Sequence, residues 1–380
     1  MALVSEPLPV LALLLSIVLL SAFLGSLPYL RSLGGALIAI LLGALLANLG
    51  AIPTPQMLPG LYDPIFGPVT MGAIFLVLLE ANIRAIRKAG AHMLFLFIAG
   101  ALGVMLGVLA AAWLLPDMRA MLGGRFEGVA AMLTGTYIGG SANFNALAIE
   151  YGIAGQSLIF TATTVVDNVM TTGWIFLTIA LAPLLALSAR FPRRTLEPTA
   201  AQEEPAAPFE GVVSVALPFA MAAGAIVASS ALAAFSGGTV PMVLILTTLA
   251  LAVAQLRFTE RIRLARPLGM FGLYLFLTAV GCSADLRALA DAGALGAALF
   301  AFVAIIFLVH LAVLLIAGVL LRLDPDMIAI ASTANIGGAT TAIALAEVRR
   351  RDDLVLPGLL VGSLGTALGT YAGFIVGGFL

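Results

Sequence analysis

The sequence predicts an all-α polytopic membrane protein built from two inverted repeats of five transmembrane helices each. The chain has 380 residues, of which 62% are hydrophobic and only 10% are charged, and apolar runs recur along nearly its whole length. A soluble domain does not have this composition. The two halves repeat one order of apolar runs, and each half contains one polar, glycine-rich interruption inside an apolar segment. The net charge of −1 gives no indication of nucleic-acid binding.

The two interrupted segments, 128–149 and 326–347, contain the sequences TGTYIGGSANFN and STANIGGATT. Glycine weakens a helix, and an unpaired peptide group in hydrocarbon costs several kcal/mol, so loose backbone at this depth survives only where it lines a cavity within the protein. We therefore predict that each segment is a re-entrant hairpin placed before the last span of its half. The two hairpin tips are expected to share one central site.

The spans can be placed in order. In the N-terminal repeat, residues 1–188, they are Leu8–Ser26, Leu33–Leu49, Ile65–Ala81, Ala91–Leu115 and, after the hairpin, Ser157–Leu187. Residues 189–208 are charged and proline-rich, which predicts a polar cytoplasmic linker. In the C-terminal repeat, residues 209–380, the spans are Val212–Phe235, Val240–Gln255, Pro267–Cys282, Ala294–Leu321 and, after the hairpin, Leu354–Leu380.

Short sequence matches between the halves indicate an internal duplication. The matched pairs occur in the same order in both halves: Gly34-Gly35 with Gly237-Gly238, 82–86 with 285–289, and Ile138-Gly139-Gly140 with Ile336-Gly337-Gly338. Three ordered matches on matching hydropathy are typical of a repeated membrane unit.

The basic residues decide between hairpins and segments that cross the membrane. If both interrupted segments are hairpins, all of the 18 Lys and Arg residues except Arg119, Arg125 and Arg287 fall on one face. If the segments cross, the same residues divide almost evenly. The positive-inside rule therefore favours hairpins, inverted halves and both termini outside. The first apolar run follows Glu6 without a basic residue, so we expect it to be retained rather than cleaved as a signal peptide.

A hairpin tip joins the end of one short helix to the start of another. Free carbonyl groups there can bind a cation, free N–H groups can bind an anion, and hydroxyl and amide oxygens add ligands that suit Na⁺. One such motif would be more typical of close helix packing, but a symmetric pair rich in Asn and Thr favours a site. The predicted substrate-binding residues are Thr136, Gly139, Gly140, Ser141, Asn143, Gly337, Gly338, Thr340 and Thr341.

Asp167 lies deep in the span after the first hairpin, where an unpaired charge costs on the order of 3 kcal/mol. Thr164, Asn168 and Thr171 share its helical face, and no Lys or Arg lies mid-span to pair with it. The alternative is a protonated Asp167 that hydrogen-bonds a neighbouring helix. The predicted Na⁺ ligands are Asp167, Asn168, Thr164, Asn145, Asn335 and Thr333.

Other polar residues carry less weight. Glu80, Asn82 and Asp285 could close a cation shell or lie at the interface. A lone His310 on an apolar helix is more often an interhelical hydrogen-bonding residue than a proton relay. The last span offers Ser363, Thr366 and Thr370 but no acid, so the two half-sites are chemically unequal.

The motif pair GTYIGGSANFNA and STANIGGATTAIALAE, with an Asp-Asn pair between threonines after the first hairpin, resembles the DUF819 family of bacterial membrane proteins over essentially the whole chain. More distantly, the layout is similar to the sodium-glutamate and sodium-citrate symporters. That resemblance implies a homodimer in which a domain carrying both tips moves as an elevator against a scaffold, with solute and Na⁺ at 139–143 and 337–341. The sequence has no mid-membrane Arg to bind a carboxylate, so an anionic solute would depend on helix N-termini and hydroxyl groups.

We therefore expect a secondary active transporter in a bacterial inner membrane, not an enzyme. Na⁺, more than H⁺, would be coupled to symport of a small polar solute such as an amino acid, small peptide or carboxylate. A channel or an H⁺-coupled exporter or antiporter is the alternative. An intramembrane aspartyl hydrolase would need a second acid near Asp167. The sequence also lacks the GxxxxGK[ST] loop of ATP-driven pumps.

Overall fold

The computed structural model describes residues 6–27, 34–81, 89–188, 190–192, 208–237, 240–283 and 293–380. Within these ranges every regular element is a helix. In chain order the helices are α1 Pro7–Ser26, α2 Gly34–Asn48, α3 Pro59–Leu78, α4 Ala91–Leu114, α5 Pro116–Leu122, α6 Phe126–Gly139, α7 Ser141–Glu150, α8 Ser157–Ala186, α9 Gly211–Phe235, α10 Met242–Ala254, α11 Ala265–Ser283, α12 Gly293–Leu321, α13 Pro325–Ile336, α14 Gly338–Val348 and α15 Asp352–Phe379.

Eight of these helices are long and apolar enough to cross a membrane, namely α1, α3, α4, α8, α9, α11, α12 and α15. Helices α2 and α10 are apolar but shorter. The prediction of an all-α polytopic membrane protein is therefore confirmed. Of the predicted linker at 189–208, only residues 190–192 and 208 belong to the described part of the chain.

Helix α3 begins earlier than predicted. It starts at Pro59 rather than Ile65, and it contains a π-helical turn at Ile65–Val69. Pro64 directly precedes this turn and Pro68 lies within it, and because both lack an N–H group they loosen the regular backbone pairing. The Thr70 hydroxyl donates a further hydrogen bond of 2.5 Å to the Ile65 carbonyl at this turn.

Helix contacts in the two halves correspond. Helix α2 packs on α11, and its counterpart α10 packs on α3. Helix α6 packs on α15, whereas α13 packs on α8, and α4 packs on α12. If each helix is replaced by the helix at the same place in the other half, every one of these contacts becomes another contact that the structure contains. The last helix of each half thus supports the interrupted segment of the opposite half.

The helices form two groups that position the site. One group contains α1, α2, α3, α9, α10 and α11, and the other contains α4, α6, α7, α8, α12, α13, α14 and α15. The groups touch where α3 meets α7, where α2 and α11 meet α8, and where α10 meets α7 and α15. A cavity between these groups holds the candidate site.

Candidate functional site

The first interrupted segment folds back on itself. Gly128, near the start of α6, lies against Tyr151 and Ile153, which follow the end of α7. Further along, Gly135 lies against Leu147. These contacts make α6 and α7 an antiparallel pair, which we call the first hairpin. The chain reverses at Gly140, whose φ of 85° is one that side-chain-bearing residues rarely adopt.

The second interrupted segment, α13 and α14, folds in the same way and is called the second hairpin. The Thr341 hydroxyl lies 3.4 Å from the Thr333 carbonyl oxygen across the turn, and Arg349 Nε donates to Asp326 Oδ1 at 2.8 Å further from it. The turn residue Gly338 has a φ of 81°, which matches Gly140. The two hairpins therefore share one backbone design.

A cluster of charges closes the open end of the second hairpin. Arg351 Nη1 lies 3.0 Å from Asp324 Oδ1 and 3.1 Å from Asp326 Oδ2, and its Nε lies 2.8 Å from Asp353 Oδ1. Asp324 is fully buried and also caps α13 by accepting from the Asp326 and Met327 backbone N–H groups. The hydrogen bond to the Asp353 carboxylate raises the pKa of Arg351, so this cation stays charged. The cluster ties both helices of the hairpin together.

Both tips open into one cavity of about 740 Å³. Six of the residues predicted to bind substrate line it: Gly139, Gly140, Ser141, Gly337, Gly338 and Thr340. Ser363 and Thr366 of α15 line it as well, and residues of both signs, Glu80, Glu260, Arg263 and Arg266, belong to its wall. A cavity of this size can hold a small organic solute.

The other three predicted substrate residues lie beneath this surface. Thr136 is buried within α6. Thr341 donates its hydroxyl to the Gly338 carbonyl at 2.8 Å and so supports the turn of its own hairpin. The buried Asn143 side chain accepts two hydrogen bonds from Thr370 on α15. These residues contribute to the shape of the tips rather than to the cavity wall.

Helix α15 contributes a stripe of glycines that the sequence analysis missed. Gly365 lies against the Ile138 carbonyl at the first tip, and Gly362 lies against Ala339 at the second. Gly369 lies against Asn143. The absence of side chains allows both tips to approach one helix closely. The spacing of the stripe is visible in the sequence as a small residue at every third or fourth position: Gly358, Gly362, Gly365, Gly369, Gly373 and Gly377.

Among the predicted cation ligands, Asp167 lies beside Tyr137 of the first hairpin. Its carboxylate is 3.5 Å from the Thr171 hydroxyl, and it interacts with the Tyr137 hydroxyl. The Tyr137 hydroxyl is buried, and its contact with Asp167 is not a well-aligned hydrogen bond; among the described residues it has no other hydrogen-bond partner. Thr164 and Asn168 donate to carbonyls of their own helix. Tyr137 is thus a neighbour of Asp167 that the helical spacing on α8 could not reveal.

The remaining predicted cation ligands occupy separate positions. Asn145 donates to the Ser141 carbonyl at 2.8 Å, and Asn335 donates to the Phe97 carbonyl at 3.3 Å. The Oδ1 atoms of these two residues have no hydrogen-bond partner in the part of the chain that is described. Thr333 instead bonds Thr178 at 3.1 Å in the contact between α13 and α8. Among the residues that the structure describes, no group of three or more His, Cys, Asp or Glu side chains is placed to hold a metal ion.

His310 has the interhelical role favoured by the sequence. Its Nδ1 lies 2.8 Å from the Gly100 carbonyl oxygen, and its Nε2 lies 2.9 Å from Ser332 Oγ. Because a carbonyl oxygen can only accept, the hydrogen bonds assign the proton to Nδ1, and Nε2 accepts from Ser332. Trp174 Nε1 donates to the same serine at 3.0 Å. This chain of hydrogen bonds joins α8, α13, α12 and α4.

Glu80 forms an ion pair of 2.9 Å with Arg266 in the cavity wall. Both side chains are close to half exposed. Asn82 and Asp285, which were considered alongside it, lie outside the described residues.

Comparisons with known proteins agree with the motif resemblance. The family model described as "Protein of unknown function (DUF819)" matches residues 10–380. The chain is 30% identical over 366 residues to a protein of Bacillus subtilis strain 168 named "Uncharacterized membrane protein YjcL". That alignment covers 91% of this chain and 89% of the Bacillus protein.

Proposed function

The chain belongs to the DUF819 family, and from this premise we propose that it is a cation-coupled secondary transporter for a small polar solute. The observation that carries the proposal is the meeting of two glycine-turned helical hairpins in one cavity. Transporters built from inverted repeats use such half-helix ends as ligand sites within the membrane. The solute would be an amino acid, a small peptide or a carboxylate.

In this proposal the hairpins are re-entrant and the two five-span repeats are inverted in a bacterial inner membrane. The exchange symmetry of the helix contacts supports the duplication. Hairpins that return to their own side also gather most basic residues on one face, which would be cytoplasmic, and leave both termini outside. Arg263 and Arg266 belong to that face and to the cavity wall, so the cavity would open towards the cytoplasm.

The two helix groups suggest the moving parts. The group with both hairpins would act as a transport domain, and the group around α1–α3 and α9–α11 would act as its scaffold, in a homodimer with an elevator-type movement. The contacts within the hairpin group support a rigid body, because the chain from Trp174 through Ser332 to His310 crosses three of its helices. The solute cavity lies where the groups face each other.

For the cation we propose Na⁺ at Asp167, with amide and hydroxyl oxygens of the tips and α8 as further ligands. Support comes from the Asp167 carboxylate in the hairpin group, with the Thr171 hydroxyl 3.5 Å from it. A bound cation would complete the solute site, so each ligand would favour binding of the other. If H⁺ is the coupled ion instead, Asp167 with Tyr137 is the pair that would carry it.

Thermal unfolding of purified protein in NaCl against KCl and choline chloride tests the cation proposal. We expect a Na⁺-specific rise in Tm for the parent, since about 2.7 kcal/mol is gained at a hundredfold excess over Kd. The rise should vanish in Asp167→Asn and persist in Asp117→Asn, a change at an exposed site on α5. Equal Tm values in all three salts at every pH would remove sodium coupling.

Flux in proteoliposomes separates a transporter from the alternative of a channel. We expect saturable uptake driven by an inward Na⁺ gradient. Ohmic current without saturation would favour the channel, and uptake driven only by a pH gradient would favour an H⁺-coupled carrier.

A further inference from the structure

A second cavity, separate from the solute site, is an apolar groove between α1 and α11. It has a volume of about 470 Å³, and both helices are long and apolar enough to cross a membrane. The groove is bordered by exposed apolar side chains, since Leu19 is 74% exposed and Phe271 is 45% exposed. Each helix contributes side chains one turn apart over two turns: Leu15, Leu19 and Ala22 from α1, and Pro267, Phe271 and Tyr274 from α11.

The groove has the shape and chemistry for a hydrocarbon chain. Along α11 it extends from Pro267 to Tyr274, a length of about 10 Å. All of the side chains named above except that of Tyr274 are wholly apolar, and they gain dispersion contacts when a flexible chain fills the space between them. The groove therefore favours a lipid acyl chain over a polar solute.

Basic residues gather at one end of the groove. Pro267 directly follows Arg266, and the turn before it carries three arginines against one acid: Arg257, Arg261 and Arg263, with Glu260. Arg266 is paired with Glu80, and Arg261 lies over the Phe209 ring at 4.2 Å. The Arg257 and Arg263 side chains are exposed, and within the described ranges neither takes part in an ion pair. The apolar groove thus ends beside two guanidinium groups that can bind an anion.

We propose that this groove binds an anionic phospholipid, with an acyl chain between α1 and α11 and its phosphate at Arg257 and Arg263. Basic residues at the membrane surface attract anionic headgroups, and basic pockets between spans bind them specifically. A second copy of the chain packed here about an axis normal to the membrane would instead bring two positively charged turns to the same face, which is unfavourable. The inference goes beyond the transport proposal and does not rest on it.

The proposed lipid would also contact the wall of the solute cavity. Met270 lines both the groove and that cavity, and Arg263 belongs to the cavity wall as well. The acyl chain would therefore lie one side chain away from the cavity. The lipid would form part of the first helix group on the side that faces the hairpins.

Quenching of tryptophan fluorescence by brominated lipids tests the groove directly. Phe271→Trp places the fluorophore in the groove, and Phe176→Trp places it at an exposed site on α8 as a matched control. Each protein is reconstituted in phosphatidylcholine vesicles that contain dibrominated phosphatidylglycerol or dibrominated phosphatidylcholine, and the signal of the parent is subtracted. At Phe271→Trp we expect phosphatidylglycerol to bind about tenfold more tightly than phosphatidylcholine. At Phe176→Trp the two lipids should quench equally.

Paired charge variants test the headgroup contact. Arg257→Gln with Arg263→Gln, made in the Phe271→Trp protein, should abolish the preference for phosphatidylglycerol. Arg322→Gln with Arg350→Gln removes the same charge from exposed sites in the hairpin group and should leave the preference unchanged.

A change of groove width tests the acyl-chain contact without altering charge. Ala22 is exposed and lines the groove, so Ala22→Phe should fill part of it and weaken binding of both lipids severalfold. Ala22→Leu should have the same effect to a smaller degree.

Three results would overturn the lipid site. The first is equal affinity of the two lipids at Phe271→Trp, and the second is a preference that survives the loss of Arg257 and Arg263 or recurs at Phe176→Trp. The third is quenching by neither lipid, and an oligomer that Ala22→Phe dissociates would then identify a second copy as the occupant. None of these measurements uses Na⁺ or a transported solute, so they leave the transport proposal to its own tests.

Discussion

The two hairpins share an outline but are held together by different interactions. The first is closed at its open end by packing, with Gly128 against Tyr151 and Ile153. The second is closed by a buried charge cluster around Arg351. Both hairpins therefore turn at a Gly-Gly pair, although different side chains stabilise them.

The supporting helices differ in the same way. The first hairpin rests on α15, whose glycines let the backbones touch, and the Asn143 side chain bonds across to Thr370. The second hairpin also touches α15, where Gly362 lies against Ala339, and it is further held on α8 by hydrogen bonds from Trp174 to Ser332 and between Thr333 and Thr178. Ser332 and Thr333 of the second hairpin are thus engaged in contacts with α8.

The largest effect is expected from a substitution that breaks the charge cluster of the second hairpin. Arg351→Ala would remove the ion pair of the buried Asp324 and leave Asp326 with Arg349, and breaking a buried pair typically costs about 3–5 kcal/mol. We expect a large fall in Tm in detergent. The neighbouring exposed Arg350→Ala should change Tm little. Equal losses in the two variants would mean that the cluster does not hold the hairpin closed.

Substitutions of the glycines at the two tips should have effects of intermediate size. A side chain at Gly139 would meet the Gly365 backbone carbonyl, which cannot move without shifting α15. A side chain at Gly337 would chiefly meet the Thr341 side chain, which can rotate. We expect Gly139→Ala to cost about 1–3 kcal/mol and to abolish uptake, whereas Gly337→Ala should cost less. Tm and uptake measured on both variants decide this, and a greater loss at Gly337 would contradict it.

Much of this arrangement could be predicted from sequence because it follows from hydropathy and glycine. Apolar runs predict spans, and two Gly-Gly pairs in apolar segments predict the turns that meet at one cavity. The start of α3 was predicted too late because Pro59, Asp63 and Pro64 are typical of a loop. In the structure Pro59 occupies the first helical turn, where its missing N–H group is tolerated, and Asp63 and Pro64 end that first helical stretch just before the π turn.

The side-chain partners were harder to predict, since they join distant parts of the chain. Asn143 and Thr370 are 227 residues apart, and no local pattern relates them. The charge cluster is different, because a hairpin with its turn at Gly338 necessarily brings 324–326 near 349–351. Those arginines were interpreted only as orientation signals, although the predicted hairpin already implied their acidic partners.

The smallest expected effect concerns the base of the first hairpin. Glu150, the last residue of α7, accepts a hydrogen bond of 3.4 Å from the Val243 N–H, and this contact joins the hairpin to α10. Burial raises the pKa of Glu150, and the Val243 bond offsets only part of that shift. The second hairpin differs here, since its basal carboxylates face Arg349 and Arg351. At its open end the first hairpin therefore has a carboxyl group, Glu150, whose neutral form is favoured by burial.

The sign of the pH dependence follows from this raised pKa. The stability contribution of Glu150 is fully present below its ordinary pKa and is lost as pH rises through the raised value. Glu150→Gln keeps an acceptor for Val243 and removes the titration. Tm measured from acidic to neutral pH should therefore fall less steeply in the variant, which should melt roughly 1 °C higher than the parent at neutral pH. At acidic pH, where neither side chain is charged, the two proteins should coincide. Parallel pH profiles would show that this carboxylate is hydrated and that the bases of the two hairpins differ less than their contacts indicate.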